Sequence, residues 1–313
     1  MRCMAIATFA LCSLAVAAQE LPRGVALQSL GMSISSLENP FFVALVKGAE
    51  QQARRYNPTV KVTTLANEYS IDKQVAHLER FTAERVDLIL LNAADAVKVE
   101  PAVQAARAAG IVVVAVDVAA NGVHATVMTD NLQAGEQACQ HLAQTLSGQG
   151  KVIIQSGPQV SSVIDRVAGC HMALKHFPGI TVLTDKGDGK GSRWGGQQLM
   201  QQHLKQYPRI DGVFTINDRQ AIGTDLAARK AGLKRLVITS VDGAPDIEQA
   251  LQQPSFIVAS ASQSPRLMAE RAVSVGFELM QGKRPAKSLI LMEPTLVTRE
   301  NLARYKGWND AGK

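Results

Sequence analysis

Short apolar runs rich in β-branched residues alternate along the chain with longer segments in which apolar positions recur every three to four residues. The short runs are apolar at nearly every position, which is typical of strands buried on both faces of a sheet. The longer segments have the period of amphipathic helices, and some are followed by glycine, as at Gly110 and Gly232. The pattern predicts strands within VTTL, VDLILL, GIVVVAVD, KVIIQS, ITVLT, DGVFTIND, RLVITSVD and FIVASASQ, and helices over residues 40–56, 70–85, 97–109, 131–147, 194–206 and 218–231.

The order of these elements predicts an α/β fold. Strand and helix alternate repeatedly, an arrangement that gives parallel sheets covered by helices on both faces. We expect about ten strands, more than one small sheet holds comfortably, so two doubly wound sheets in two lobes are predicted. A chain of 313 residues is long enough for two such cores.

Nearly every predicted strand ends in a short polar side chain. Such residues follow strands in both halves of the chain, for example Asn92, Asp117 and Asp242. Ligands of parallel sheets bind at the carboxyl ends of the strands, so these side chains are candidates for a binding site. Each of them could equally be a helix N-cap or a turn residue. The full set is Ser35, Asn39, Asn92, Asp95, Asp117, Asn217, Asp218, Asp242 and Gln263.

Phe41 and Phe42 stand together at the start of the first predicted helix, in a chain of which only 4% is aromatic. One interpretation is that they pack in the core near the helix start. The other is that they cover the C–H groups of a sugar, while Asp and Asn side chains accept from and donate to its hydroxyls. Arg166 also has two interpretations. On a largely apolar helix beside Asp165, it could form a surface ion pair or direct a fork of donors at sugar oxygens.

The N-terminus has the pattern of a secretory signal peptide. A basic residue precedes an apolar segment over residues 4–14, and a run of small residues over 15–18 follows. The apolar segment is too short to span a bilayer. We therefore expect residues 1–18 to be removed, with cleavage after Ala17 or Ala18, and the mature protein to be exported to the periplasm.

Composition and spacing argue against several classes of function. The net charge of +6 is modest and the basic residues are scattered, so nucleic-acid binding is not expected. The histidine and cysteine spacings match no common metal site, and the segment GDGKGSRWGG lacks the spacing of a dinucleotide- or phosphate-binding loop. Cys139 and Cys170 could pair in an oxidising compartment, but their apolar helical contexts favour buried free thiols.

Several motifs together resemble one known family. SSLENPFFVALVKGAEQQA, VVAVD, MTDNLQAGEQA, VFTINDRQAIG and ITSVDGAPD resemble, in order and approximate spacing, the periplasmic sugar-binding proteins of ABC importers, in particular the ribose-binding-like group. The resemblance covers essentially the whole mature chain. It implies the type I periplasmic binding protein fold, with two Rossmann-like lobes over residues 21–129 plus 264–291 and residues 130–263 plus 292–313. The implied hinge has three segments, at residues 129–131, 262–264 and 291–294.

The same resemblance implies a ligand and the residues that bind it. The expected ligand is a neutral monosaccharide or polyol, which a monomeric protein without a cofactor delivers to an ABC transporter permease in the inner membrane. The residues that match the sugar contacts of the family are Ser35, Asn39, Phe41, Phe42, Asn92, Asp117, Arg166, Asn217, Asp242 and Gln263.

Two positions depart from the pattern of the family. Val118 follows Asp117 where ribose-binding proteins have an arginine, so one charged donor is missing from the first lobe. Gly191 stands where the family has an aromatic platform, and Trp194, three residues later, is either its replacement or a packing residue at a helix start. These departures predict a ligand other than ribose.

Three alternatives use the same fold. The closed form could serve a chemoreceptor or histidine kinase as a sugar sensor, or the fold could carry a sugar-modifying enzyme. The effector domain of lactose-repressor-type regulators shares the two lobes, but those regulators carry a DNA-binding headpiece where this chain has a predicted signal peptide. We expect a binding protein without enzymatic activity.

Overall fold

The computed structural model describes residues 26–308, so the predicted signal peptide lies outside the described residues. None of the helices in this range is long and apolar enough to cross a membrane. The strands of this range are β1 (Ser29–Ile34), β2 (Lys61–Ala66), β3 (Leu88–Leu91), β4 (Val112–Val116), β5 (Ala125–Thr129), β6 (Gln149–Gln155), β7 (Gly179–Thr184), β8 (Gly212–Thr215), β9 (Val237–Asp242), β10 (Ile257–Ser262), β11 (Leu289–Met292) and β12 (Thr295–Thr298).

Helices connect these strands in the βαβ manner that the sequence pattern predicts. A short 3₁₀ helix, Leu302–Arg304, follows the last strand. The α-helices of the described range are α1 (Pro40–Tyr56), α2 (Ile71–Ala83), α3 (Glu100–Ala108), α4 (Asn131–Thr145), α5 (Ser161–Leu174), α6 (Arg193–Gln206), α7 (Asp218–Lys230), α8 (Pro245–Gln252) and α9 (Pro265–Met280).

Two six-stranded sheets divide the chain into two lobes. The first sheet has the order β11-β5-β4-β3-β1-β2, and the second has the order β12-β10-β9-β8-β6-β7. Neighbouring strands are parallel throughout, except that β12 is antiparallel to β10. The first lobe comprises the first sheet with α1, α2, α3 and α9, and the second lobe comprises the second sheet with α4 to α8. The two-lobe α/β fold predicted from the alternation of strands and helices is therefore confirmed.

Strand β4 shows why the apolar runs are continuous. Val112, Val114 and Val116 point into the core beneath α1 and α9, whereas Val113 and Ala115 point into the core beneath α2 and α3. Successive side chains of a strand face opposite sides of the sheet, so a sheet with helices on both faces requires apolar residues at every position. Each predicted run contains a strand, whereas β1, β5, β11 and β12 are not among those runs.

The chain crosses between the two sheets at three places. It leaves the first sheet after β5 and continues into α4, which packs on β9 and β10 of the second sheet. It returns between β10 and α9, which packs on α1, β4 and β5. It crosses for the third time between β11 and β12, which are consecutive in the sequence but belong to different sheets.

Cys139 and Cys170 form a disulfide bond between α4 and α5, so the expectation of free thiols was wrong. Two glycines explain why α4 and α5 approach each other closely enough for this bond to form. A Cβ atom on Gly135 would lie 2.1 Å from the backbone oxygen of Arg166, and one on Gly169 would lie 2.0 Å from that of Leu132. The prediction that both cysteines are buried is confirmed, since neither is accessible to solvent. The proximity of the two cysteines depends on packing between two separate segments of the chain.

Candidate functional site

The carboxyl ends of strands from both lobes meet at a cavity of about 50 Å³. The lobes touch beside it, where the backbone N–H of Ala119 in the first lobe donates to Ser161 Oγ in the second at 2.8 Å. Cavities of about 400, 430 and 480 Å³ lie elsewhere in residues 26–308, but none of these three brings an arginine together with two aspartates. The smaller cavity is lined by Ser35, Asn39, Phe41, Phe42, Tyr69, Asn92, Asp117, Val118, Pro158, Val160, Ser162, Val163, Arg166, Gly191, Ile216, Asn217, Asp242 and Gln263.

The phenylalanine pair forms an apolar wall of this cavity in the first lobe. Asn39 Oδ1 accepts from the backbone N–H of Phe41 at 3.1 Å, and Pro40 is the first residue of α1, so the helix begins after the short loop of residues 35–39 that follows β1. The rings of Phe41 and Phe42 meet edge-on with centroids 5.3 Å apart. Both rings also belong to the core beneath α1. Core packing and a cavity wall, the two interpretations of the sequence, are thus compatible.

A chain of hydrogen bonds orients the carboxylate of Asp117. Ser35 Oγ donates to Asn92 Oδ1, and Asn92 Nδ2 donates to Asp117 Oδ2 at 2.9 Å. Asp117 Oδ1 accepts no hydrogen bond from the residues that the structure describes and remains available to a ligand. The backbone of Asp117 has φ of 71°, a conformation that costs a non-glycine residue about 1–3 kcal/mol and is concentrated at functional sites.

Arg166 is the buried cation of the site. It extends from α5 and is 4% exposed. Its Nε donates to Asn131 Oδ1 and its Nη1 to the backbone oxygen of Ile216, both at 2.8 Å. Nη1 lies 3.5 Å from Asp242 Oδ1. Within residues 26–308, Nη2 has no hydrogen-bond acceptor, so one arm of the guanidinium is available to a ligand.

Gln263 connects the carboxylate of Asp242 to the segments that cross between the lobes. Its Nε2 donates to Asp242 Oδ1 at 2.7 Å, and its Oε1 accepts from Thr129 Oγ1 at 2.8 Å. Thr129 ends β5 and Gln263 follows β10, so two of the three crossings meet through this side chain. Asp242 also has a positive φ, of 135°.

The charges of the site favour a neutral ligand that donates hydrogen bonds. Burial raises the pKa of Asp117 to about 7, an effect that the Arg166 guanidinium opposes and Asp242 reinforces. Burial also raises the pKa of Asp242 to about 6, again opposed by Arg166. With both carboxylates ionised, one negative charge is in excess over the single cation. An anionic ligand would add to this excess, whereas hydroxyl groups would stabilise it.

Sequence reasoning missed Tyr69, which lines the cavity from the loop after β2. Its backbone is also held at a positive φ, of 58°. Burial of the hydroxyl end raises the pKa of Tyr69 to about 12, reinforced by the charge of Asp117 and opposed by a hydrogen bond with Ser35. Tyr69 lies three residues beyond the end of β2, so applying the strand-end rule to that strand would have identified it.

Trp194 lies outside the cavity, contrary to its prediction as a replacement for the aromatic platform. Ser192 Oγ accepts from the N–H of Gly195 and caps α6. The helix buries the face that contains Gly195 and Leu199, and Trp194 falls on another face and is 65% exposed. At the platform position itself, Gly191 lines the cavity with backbone atoms only.

Comparison with known proteins agrees with the resemblance seen in the sequence. Residues 30–284 match the family model described as "Periplasmic binding protein domain". The chain is 30% identical to the ribose import binding protein of Bacillus subtilis (strain 168) over 264 residues, which cover 83% of this chain and 84% of the relative. It is 26% identical to a xylitol-binding protein of Mycolicibacterium smegmatis, with 87% of this chain and 78% of the relative covered. A solved ABC transporter solute binding protein from Mycobacterium smegmatis, with bound glycerol, is 25% identical, has a TM-score of 0.83, and covers 90% of this chain and 97% of its own.

Proposed function

The chain belongs to the family of periplasmic binding proteins, and from this premise we propose that it binds one neutral monosaccharide or polyol between its lobes for delivery to the permease of an ABC importer. The observation that carries the proposal is the convergence of Arg166, Asp117 and Asp242 with the phenylalanine wall in one cavity lined by both lobes. Polyols present hydroxyls on their edges and C–H groups on their faces, which this combination of groups complements.

The size of the cavity supports a small ligand. A buried water needs about 10–15 Å³ of such a cavity, so a volume of about 50 Å³ holds only a few waters. A single sugar ring or a short polyol fits such a site with a small separation of the lobes, whereas an oligosaccharide does not. The groups available to it include donors at Arg166 Nη2 and Asn39 Nδ2 and acceptors in the carboxylates of Asp117 and Asp242.

Val118 supports a ligand with one weakly hydroxylated edge. Its side chain is 3% exposed, and Val160 and Val163 line the same cavity from the second lobe. A hydroxyl placed against these side chains would lose its bonds to water without replacement, at a cost of about 1–3 kcal/mol. We therefore propose a sugar or polyol other than ribose, although the relative from Bacillus subtilis is named for ribose.

We propose that the lobes close about the ligand as a clamp. The lobes would be residues 21–129 plus 264–291 and residues 130–263 plus 292–313, and the three crossings between them would be the hinge. A ligand that touches both lobes favours the closed state through its differential contacts. X-ray scattering should therefore show a smaller radius of gyration at saturation, and an unchanged radius would count against a clamp.

We further propose that the protein acts in the periplasm as a monomer and does not transform its ligand. Its relatives are named as import binding proteins, which supports binding without catalysis. Incubating the purified protein with candidate sugars tests this: recovery of each sugar unchanged is expected, and any turnover would show an enzyme instead.

A thermal-shift screen of refolded, ligand-stripped protein tests the function itself. The panel comprises D-ribose, xylitol, glycerol, and further pentoses, hexoses and cyclic polyols, and the member that stabilises the protein most is called the probe sugar below. A ligand that binds only the native state contributes about 2.7 kcal/mol at a hundredfold excess over its dissociation constant. We expect at least one member to raise the Tm, and no response across the panel would refute the proposal.

A further inference from the structure

Trp308, the last residue that the structure describes, contacts both walls of the cavity without lining it. Its ring meets that of Phe41 edge-on, with centroids 5.6 Å apart and planes at 78°. Its Nε1–H donates to the backbone oxygen of Asp242 at 2.8 Å. Phe41 belongs to the first lobe and Asp242 to the second, and both line the cavity. Trp308 therefore joins the two lobes beside the site, where it is only 6% exposed.

The two contacts of Trp308 differ in kind. The segment before it is fastened to the second lobe, because Asn301 Nδ2 donates to the backbone of Leu296 and the Tyr305 hydroxyl donates to that of Gly243, at 2.8 and 2.7 Å. Directional hydrogen bonds thus hold this segment to the second lobe, whereas its contact with Phe41 is between two rings. When the lobes separate, the ring contact is the one expected to break.

We propose that Trp308 is a positioning residue for ligand binding, which stabilises the closed state by tying the Phe41 wall to the turn at Asp242. This inference rests on the proposed function, because it concerns closure of the same site. Edge-on ring pairs are a favoured aromatic geometry. The backbone at Asp242, with φ of 135°, also requires support from its neighbours, and its oxygen receives that support from Trp308 and from the N–H of Gln263.

Two variants separate the two contacts. Trp308→Phe retains a ring toward Phe41 but lacks the N–H donor, and Trp308→Leu removes the aromatic ring as well. Trp194→Phe is the matched control, because Trp194 is 65% exposed and lies outside the cavity. The dissociation constant of the probe sugar is measured by calorimetry, and the Tm is measured with and without that sugar.

We expect Trp308→Leu to raise the dissociation constant by about tenfold, since it loses both an aromatic pair and a hydrogen bond. Trp308→Phe should raise it by less, and the control should match the wild type. The rise in Tm that the probe sugar produces should be smaller in Trp308→Leu. A purely structural role would lower the Tm equally with and without the sugar and leave the dissociation constant unchanged. That result would overturn the proposal.

A second readout keeps Trp308 in place and so does not depend on how its variants fold. In Trp194→Phe, Trp308 is the only tryptophan of the chain. Its emission should move to shorter wavelength as the probe sugar saturates the protein, because closure buries the indole against Phe41. An unchanged spectrum would show that the contact does not depend on closure and would refute the inference. Failure of the wild type to bind any panel member would instead refute the proposed function itself.

Discussion

The disulfide bond between α4 and α5 should contribute a large part of the stability of the second lobe. We predict that Cys139→Ala/Cys170→Ala has a lower free energy of unfolding than the oxidised wild type. The bond closes a loop of 31 residues. For this length the loop-entropy relation gives about 12 cal/mol/K, or about 3.7 kcal/mol at 25 °C. Domains are commonly stable by only about 5–15 kcal/mol, so the loss should be evident.

Urea unfolding followed by circular dichroism measures this difference. Alanine is the suitable replacement because both sulfurs are fully buried and a serine would bury an additional hydroxyl. Cys139→Ala alone cannot form the bond, so it should agree with the double variant within about 1 kcal/mol. A double variant within about 1 kcal/mol of the wild type would refute the reasoning from loop closure. Alkylation of both cysteines in unfolded, unreduced protein would show that the bond itself is absent.

Two further results are expected of the site. Burial raises the pKa of Asp117 to about 7 and that of Asp242 to about 6, and hydroxyls donate to the ionised carboxylates. The affinity for the probe sugar should therefore be constant above about pH 7 and fall below that pH, by up to about tenfold per pH unit for each carboxylate that protonates. Calorimetry from about pH 5 to 8 measures this dependence, and an affinity that does not change with pH would contradict the prediction. Phe42→Ala should weaken binding by about tenfold, whereas Trp194→Ala, which changes an exposed side chain outside the cavity, should leave the dissociation constant unchanged; equal effects would exclude the phenylalanine wall.

The sequence predicts which strand-end residues line this cavity because their placement depends on topology rather than on loop detail. β4 and β9 belong to different sheets, and each ends at the carboxyl edge of its own sheet, where ligands of parallel sheets bind; Asp117 and Asp242 both line the cavity at these edges. Arg166 is different, since no strand end places it. Its assignment came from the resemblance, and its buried position depends on the close packing of α4 and α5.

The sequence alone could not predict features that depend on how separate segments of the chain pack against each other. The direction of Trp194 follows from the rotation of α6 about its axis, which the cap at Ser192 and the buried glycine face determine. The pairing of Cys139 with Cys170 requires two helices to be adjacent, which neither segment signals by itself. Trp308 is the clearest case, because its contacts with both lobes exist only once the whole chain has folded.

Binding between the lobes is tested most directly by calorimetric titration of the probe sugar into the wild type, Arg166→Lys and Arg166→Ala. Arg166→Ala leaves Asp242 and Asp117 buried without a countercharge, a loss of about 2–5 kcal/mol in binding. This corresponds to an affinity lower by about 30-fold to more than about 1,000-fold. Arg166→Lys should fall between that variant and the wild type, because it retains the charge but not the fork of donors.

Arg229→Ala is the control for this titration. Arg229 pairs with Asp225 on α7, has a side chain that is 53% exposed, and does not line the cavity. We predict wild-type affinity for Arg229→Ala and a loss of at least about 30-fold for Arg166→Ala, with both variants folded as judged by circular dichroism. If Arg166→Ala binds the probe sugar within about twofold of the wild type, a change below about 0.5 kcal/mol, the sugar does not bind in the cavity between the lobes.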